Sequence, residues 1–184
     1  MRLTHKAHAI ISHYLQEGHL AVDATAGNGH DTLFLARRVG AAGRVFAFDI
    51  QEQALRATSA RLEQAGLSSR VELIHDGHEH MAESLPPDSH GRLRAVMFNL
   101  GYLPHSDKAT TTRVEHTLPA LEQARRLLTP GGVISVLAYR GHPGGREESQ
   151  AVKDALAGLA GGLQLSILES PGPVLMILAP DAHE

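Results

Sequence analysis

Val22-Asp23-Ala24-Thr25-Ala26-Gly27-Asn28-Gly29-His30-Asp31-Thr32 passes from a short apolar run through a glycine turn into a helical pattern. Leu20 to Ala24 reads as a strand, and about Asp31 to Arg38 as a helix. Glycines at such a junction let the backbone come close to a ligand, and the helix N-terminus beyond them offers unpaired N–H groups. A tight strand-to-helix turn with no ligand competes with that reading, because a lone Gly-x-Gly is a weak signal. A nicotinamide dinucleotide would call for Gly-x-Gly-x-x-Gly, and Thr32 stands where the third glycine belongs.

The same alternation of apolar runs and amphipathic stretches extends in both directions. Upstream, Thr4 is placed to cap a helix over Lys6 to Gln16, with Ala7, Ile10, Ile11, Tyr14 and Leu15 on one face. Downstream, strands are expected at Arg44–Ile50, Val71–His75, Leu93–Asn99 and Val133–Tyr139. Helices are expected at Glu52–Gln64, Arg113–Leu128 and Arg146–Leu159, with Gly66 and Pro130-Gly131-Gly132 as stops. The run over Leu93–Asn99 is nearly continuous in apolar residues, as suits a strand covered on both faces. Gln164–Glu169 and Val174–Leu178 are separated only by Pro171-Gly172-Pro173 and their flanks. That link is too short for a helical crossover, so the last two strands form an antiparallel hairpin. The expected fold is α/β: a Rossmann-like, doubly wound, mostly parallel seven-stranded sheet with a C-terminal antiparallel hairpin.

Composition sets the outer limits. The 184 residues fit one domain, 1–184, with the first 18 as a helix preceding the sheet. Hydrophobic residues make up 42% and charged residues 20%, enough for a packed core. The net charge of −3 excludes a globally basic nucleic-acid binder, though not a local basic face. Cysteine is absent, which excludes disulfides, cysteine nucleophiles and cysteine-based zinc sites. No apolar run approaches the roughly 20 residues that span a bilayer, and the N-terminal stretch lacks signal-peptide features. The expected compartment is the cytoplasm.

Two features of the sheet's C-terminal edge resemble S-adenosylmethionine-dependent methyltransferases. The terminal hairpin is one. The other is Asp23 ahead of the glycines, similar to the pattern acid-x-Gly-x-Gly-x-Gly with Thr25 in place of the first glycine. Asp49, at the end of the second strand, suits a ribose diol under either cofactor reading. Asp76, after the third strand, lies where such enzymes often bond the adenine amino group. His75-Asp76-Gly77-His78-Glu79-His80 also has the spacing of zinc ligands, but a polar loop beside the cofactor is the preferred reading, with no metal expected.

Phe98-Asn99-Leu100-Gly101-Tyr102-Leu103-Pro104 ends the fourth strand, at the edge where open α/β sheets carry their active sites. It resembles the Asn-Pro-Pro-Tyr motif of methyltransferases acting on nucleobase nitrogens, with Leu100 and Gly101 replacing the prolines. Methyl transfer from a sulfonium needs the acceptor's lone pair close behind the methyl carbon. An amine donates hydrogen bonds, so acceptors orient it: the Asn99 side-chain oxygen and a Leu100 or Gly101 carbonyl. The alternative for Asn99 is an Asx turn, and Tyr102 either packs or stacks on a base. Tyr139-Arg140-Gly141-His142-Pro143-Gly144-Gly145-Arg146 follows the fifth strand at the same edge. It reads as a substrate wall or as a plain strand-to-helix loop, with Glu147 and Glu148 favoured by the helix dipole. Lys108 either meets a phosphate or stays solvated.

Taken in order, Asp-Ala-Thr-Ala-Gly-Asn-Gly-His-Asp-Thr, Asn-Leu-Gly-Tyr-Leu-Pro, Ser-Asp-Lys and Gly-His-Pro-Gly-Gly-Arg-Glu-Glu resemble a small bacterial family labelled "putative rRNA methylase". Its members have been assigned as methyltransferases of 5-aminomethyl-2-thiouridine in tRNA. The resemblance covers nearly the whole chain. It implies methyl transfer from S-adenosyl-L-methionine to the exocyclic aminomethyl nitrogen of the wobble uridine, giving 5-methylaminomethyl-(2-thio)uridine. It also implies Asp23, Thr25, Gly27, Asn28, Gly29, Asp31, Thr32, Asp49, Ile50, Asp76, Gly77, His78 and Asn99 as the cofactor set. Asn99, Tyr102, Tyr139 and His142 would surround the target, and Lys108, Arg140, Gly144 and Gly145 would contact substrate. One departure is His105-Ser106 where the family commonly has Gly-Gly before Asp-Lys. The implied partner is a tRNA anticodon loop, whose single-stranded bases enter a pocket without duplex melting. A few cations (Arg2, Lys6, Lys108, Arg113, Arg140 and Arg146 are the candidates) would serve so small a footprint, and a homodimer would widen it. Alternative acceptors are rRNA or a small amine, and a protein that binds the cofactor without turnover is a third reading.

Overall fold

The structure is a computed structural model that describes residues 2–101 and 112–181. Tyr102 and Lys108, both expected near the substrate, lie outside the described residues. The chain forms α1 (Leu3–Tyr14), β1 (Leu20–Asp23), α2 (His30–Val39), β2 (Arg44–Phe48), α3 (Glu52–Ala65), β3 (Val71–Ile74), α4 (Met81–Ser84), β4 (Leu93–Leu100), α5 (Val114–Leu127), β5 (Leu128–Ala138), α6 (Gly145–Gly158), β6 (Gln164–Leu168) and β7 (Val174–Ala179). Short 3₁₀ turns sit at Ser68–Arg70, His78–His80 and Pro87–Ser89.

The seven strands lie in the order β3-β2-β1-β4-β5-β7-β6. The first five are parallel, and β7 runs antiparallel to both β5 and β6. The expected hairpin is therefore present, inserted so that its second strand lies next to β5. Strand order reverses between β1 and β4. In such sheets the ligand crevice opens beyond the strand C-termini at that reversal, which here means beyond Asp23 and Asn99.

Strand residues alternate between two cores. Val96, Phe98, Ile134, Val136 and Ala138 pack with Ala120, Leu121, Ala124, Val152 and Leu156 of α5 and α6. Ala95, Met97, Val133 and Leu137 pack on the opposite face with Ala7, Ile11 and Leu15 of the α1 region and with Leu35, Val39 and Leu62 of α2 and α3. Each fully buried large side chain contributes about 1.5–3 kcal/mol, so the two layers fix β1 and β4 from both sides.

Three local expectations need correction. Helix α1 starts at Leu3 with Arg2 as its cap residue and no capping side chain. Thr4 is inside the helix instead, where its hydroxyl favours the ionised form of the Tyr139 phenol. Pro130-Gly131-Gly132 does not end a helix but belongs to β5, where the ladder jumps from Leu93↔Leu128 to Ala95↔Val133. Gly131 takes φ 80° in that irregularity, and the Pro130 carbonyl accepts from Arg94. Finally, His78 is not in an open polar loop. It is buried, with its ring edge against Phe98 and Nδ1 3.1 Å from the Ala24 carbonyl.

Candidate functional site

The glycine turn is held from three directions. Ala24 N–H donates to the Met97 carbonyl of β4, and Ala26 N–H to the Phe48 carbonyl of β2. From α3, Thr58 Oγ1 donates to the Gly27 carbonyl and Arg61 Nε to the Asn28 carbonyl. Gly27 and Gly29 take φ values of 54° and 75°, where side chains are rarely found. At Gly29 a Cβ would also meet the Thr58 Cα at 2.9 Å, so this glycine permits α2 to pack against α3.

Asp23 is fully buried beneath the turn. Its carboxylate accepts from Thr25 N–H at 3.1 Å and Thr32 Oγ1 at 2.6 Å. Burial, reinforced by the neighbouring Asp31 charge, pushes its pKa up to about 7 against those two bonds. Asp49 accepts from Gly27 N–H and Gln51 N–H, both at 2.9 Å, which places a carboxylate at the end of β2 beside the turn. Ile50 next to it is 59% exposed, a large apolar side chain presented beside that carboxylate. Asp76, after β3, accepts from Gly77 N–H, His80 Nδ1–H and Ser84 Oγ. The His80 bond is the main cause of its lowered pKa, and His80 is raised in turn. His75 bonds the Ile50 carbonyl through Nε2. The three histidines of the 75–80 run thus face different partners. Among the described residues no group of three or more such side chains is arranged to hold a metal.

Asp31, read in sequence as part of the cofactor set, uses both oxygens within the protein. One lies 2.5 Å from His8 Nε2, and the other accepts from the Asn99 side-chain amide. Asn99 N–H donates to Thr25 Oγ1 at 2.7 Å, tying the end of β4 to the turn after β1. The carbonyls offered from sequence as further amine acceptors already accept backbone bonds: Leu100 from Tyr139 N–H and Gly101 from Thr112 N–H, both at 3.0 Å. Asn99 Oδ1 is the acceptor that this geometry leaves directed away from Asp31.

The corner after β5 forms the facing wall. Tyr139 is 44% exposed; burial of the rest of its ring and the Asp31 charge raise its phenol pKa. A Cβ on Gly101 would lie 3.3 Å from the Tyr139 Cβ and 3.8 Å from His142 Nε2. At Gly145 a Cβ would meet the Tyr139 carbonyl at 2.6 Å and His142 Nε2 at 2.7 Å, so only glycine lets α6 start beneath this corner. Gly144, at φ 80°, makes the turn before it. Arg140 points elsewhere: its guanidinium bonds the Gly172 and Ser170 carbonyls and Glu169. It braces the β6–β7 hairpin, which is where the sequence reading of a substrate contact departs from the structure.

Three residues escaped the sequence reading. His8 was legible only as a helix residue off the apolar face, and Thr4 only as a candidate cap. Glu148 was legible only as a first-turn acid. It is buried at the start of α6 and accepts from Thr112 and Thr117, so it ties Thr112 and α5 to the start of α6.

The arrangement fits a cationic nucleoside-type ligand. Asp23 has two neutral donors, so a positive group arriving at the turn would stabilise its ionised form. The exposed Ile50 and the Asp49 carboxylate supply an apolar face and a hydrogen-bond acceptor beside it.

Comparison with known proteins agrees. Residues 45–167 match the family model described as "Putative rRNA methylase". The chain is 43% identical over 166 residues to an Arabidopsis thaliana protein named tRNA (mnm(5)s(2)U34)-methyltransferase, chloroplastic; the match takes in 86% of this chain and 60% of that one. Among solved structures, a putative rRNA methylase from Clostridium thermocellum is 40% identical with a TM-score of 0.90, covering 96% of each chain. A putative methyltransferase from Streptococcus mutans, solved in complex with SAH, is 32% identical with a TM-score of 0.85, covering 97% of this chain and 98% of that one.

Proposed function

Because the chain belongs to the family described as "Putative rRNA methylase", we propose that it is an S-adenosylmethionine-dependent methyltransferase acting on the aminomethyl nitrogen of 5-aminomethyl-(2-thio)uridine at the tRNA wobble position. When bound, the cofactor supplies an electrophilic methyl group on a sulfonium sulfur. Asp23, Gly27, Asn28, Gly29 and Asp49 would hold it at the turn, with Ile50, Asp76 and Gly77 along the β2 and β3 ends. The acceptor amine donates a hydrogen bond to Asn99 Oδ1, which aims its lone pair at the methyl carbon. Attack by that nitrogen would displace the cofactor's sulfur as leaving group, and the proton released from the amine would pass to solvent. No strong base is required once the amine enters neutral. Tyr139 and His142 wall the target.

The observation that carries this reading is the Asn99 side chain, which donates to Asp31 and so has its oxygen as the remaining partner for an amine. The chain spans 60% of the length of its chloroplast relative, whose printed name supports a tRNA acceptor. The family label favours rRNA instead. Offering labelled S-adenosylmethionine with purified rRNA or with tRNA decides between them. Label in tRNA alone is expected; label in rRNA alone would overturn the acceptor.

A further inference from the structure

We propose that His8 is a positioning residue for methyl transfer, acting through Asp31 to fix which way the Asn99 amide faces; this rests on the role given to Asn99 above. Three elements distant in sequence meet here: α1 carries His8, α2 carries Asp31 and β4 carries Asn99. The His8 ring is stacked on Phe34 of α2, with centroids 3.9 Å apart and planes 3° from parallel. Stacking sets the imidazole plane, and Nε2 then lies 2.5 Å from Asp31 Oδ1.

An ionised carboxylate only accepts hydrogen bonds. Asp31, 5% exposed, therefore selects the NH2 end of the Asn99 amide and turns the oxygen outward. The flipped amide would set two oxygens against each other in a buried place, a costly arrangement. His8 makes the selection firm by occupying the other carboxylate oxygen, so the carboxylate cannot rotate away from Asn99. The backbone bond from Asn99 N–H to Thr25 Oγ1 fixes the residue's root. The root and the tip of Asn99 are thus both anchored before any substrate arrives, which is the preorganisation a lone-pair alignment needs. Helix α1 also approaches the facing wall, where Thr4 acts on the Tyr139 phenol. It therefore serves the site as well as covering the sheet.

The test uses the full chain in wild-type, His8→Ala, His8→Gln and Asp31→Asn forms. Glutamine can donate an N–H to Asp31 from a position close to that of Nε2; alanine cannot. With tRNA carrying aminomethyluridine, His8→Ala is expected to lower kcat at least tenfold while the dissociation constant for S-adenosylhomocysteine stays within twofold. His8→Gln is expected to regain most of the lost rate. Side-chain amide signals of the ¹⁵N-labelled protein give a readout that needs no turnover. The Asn99 proton bonded to Asp31 should be shifted downfield in wild type and His8→Gln, and return toward the free-amide position in His8→Ala and Asp31→Asn. An unmoved Asn99 signal in His8→Ala, an unchanged kcat, or a His8→Gln rate as low as that of His8→Ala would each overturn the proposal. Should the wild-type protein methylate no tRNA, the acceptor assignment falls, and the amide signals still decide whether His8 governs Asn99.

Discussion

Replacing Asp23 by asparagine should make the unliganded protein more stable at alkaline pH while weakening its grip on the cofactor. The carboxyl group has a pKa of 3.8 in the unfolded chain and about 7 in the folded one. A folded value above the unfolded one means that the native state holds the proton more tightly. The associated stability is fully present below about pH 4 and is lost as pH rises to about 7. At about 1.4 kcal/mol for each tenfold change in proton affinity, the full cost of ionising the buried group is about 4 kcal/mol. Roughly 3 kcal/mol of it falls between pH 5 and pH 8.5. Asparagine can keep both bonds: its oxygen accepts from Thr25 N–H, and its NH2 donates to a Thr32 hydroxyl that turns round. Urea unfolding at the two pH values should show Asp23→Asn gaining about 3 kcal/mol on wild type as pH rises, or roughly 6–12 °C in Tm. Calorimetry should show the opposite for S-adenosylhomocysteine, whose ammonium group favours ionised Asp23. Wild-type affinity rises with pH through about 7, and the variant binds more weakly with a flatter profile. A stability difference between the two proteins that does not change with pH would refute the assignment of the buried charge.

Asp49→Ala removes the acceptor for Gly27 and Gln51 N–H and should cost about 1–3 kcal/mol in urea unfolding together with at least a tenfold loss of S-adenosylhomocysteine affinity; unchanged affinity would remove Asp49 from the cofactor site. Glu148→Ala leaves the buried Thr117 hydroxyl without its acceptor and should cost about 2–3 kcal/mol, with Glu148→Gln recovering most of it. A tRNA footprint of only a few phosphates should still lose affinity roughly tenfold or more between 50 and 200 mM salt, and a salt-independent dissociation constant would argue against an RNA backbone in the interface.

The sheet was legible because periodicity reports burial directly. The nearly unbroken run over Leu93–Asn99 became the central strand β4, and the short Pro-Gly-Pro link did give a hairpin. What periodicity could not convey was bonding between distant segments. Pro130-Gly131-Gly132 has the residues of a turn, yet tertiary pairing with β4 absorbs it as a strand irregularity. Arg140 has the charge of an RNA contact, yet three hairpin oxygens claim its guanidinium. At the site, Asp23, Asp49 and Asn99 stood out in the sequence because each lies at the C-terminal end of an expected strand, the edge where open α/β sheets bind their ligands. His8 sits in a helix whose apolar face was its only visible signal, and its partner is 23 residues away. Glu148 looked like a helix-dipole residue because nothing local announces that Thr112 and Thr117 will close over it.

The central claim is that Asn99 presents the aminomethyl nitrogen of a wobble uridine for methylation. It is tested by incubating the protein and its Asn99→Ala variant with S-adenosylmethionine and two tRNA preparations, one carrying 5-aminomethyl-2-thiouridine and one lacking the aminomethyl group, followed by nucleoside mass spectrometry. One methyl group gained on the aminomethyl nucleoside alone, with a rate at least 100-fold lower in the variant, is the result predicted. Methylation of tRNA that lacks the aminomethyl group, or a variant as fast as wild type, would contradict the account.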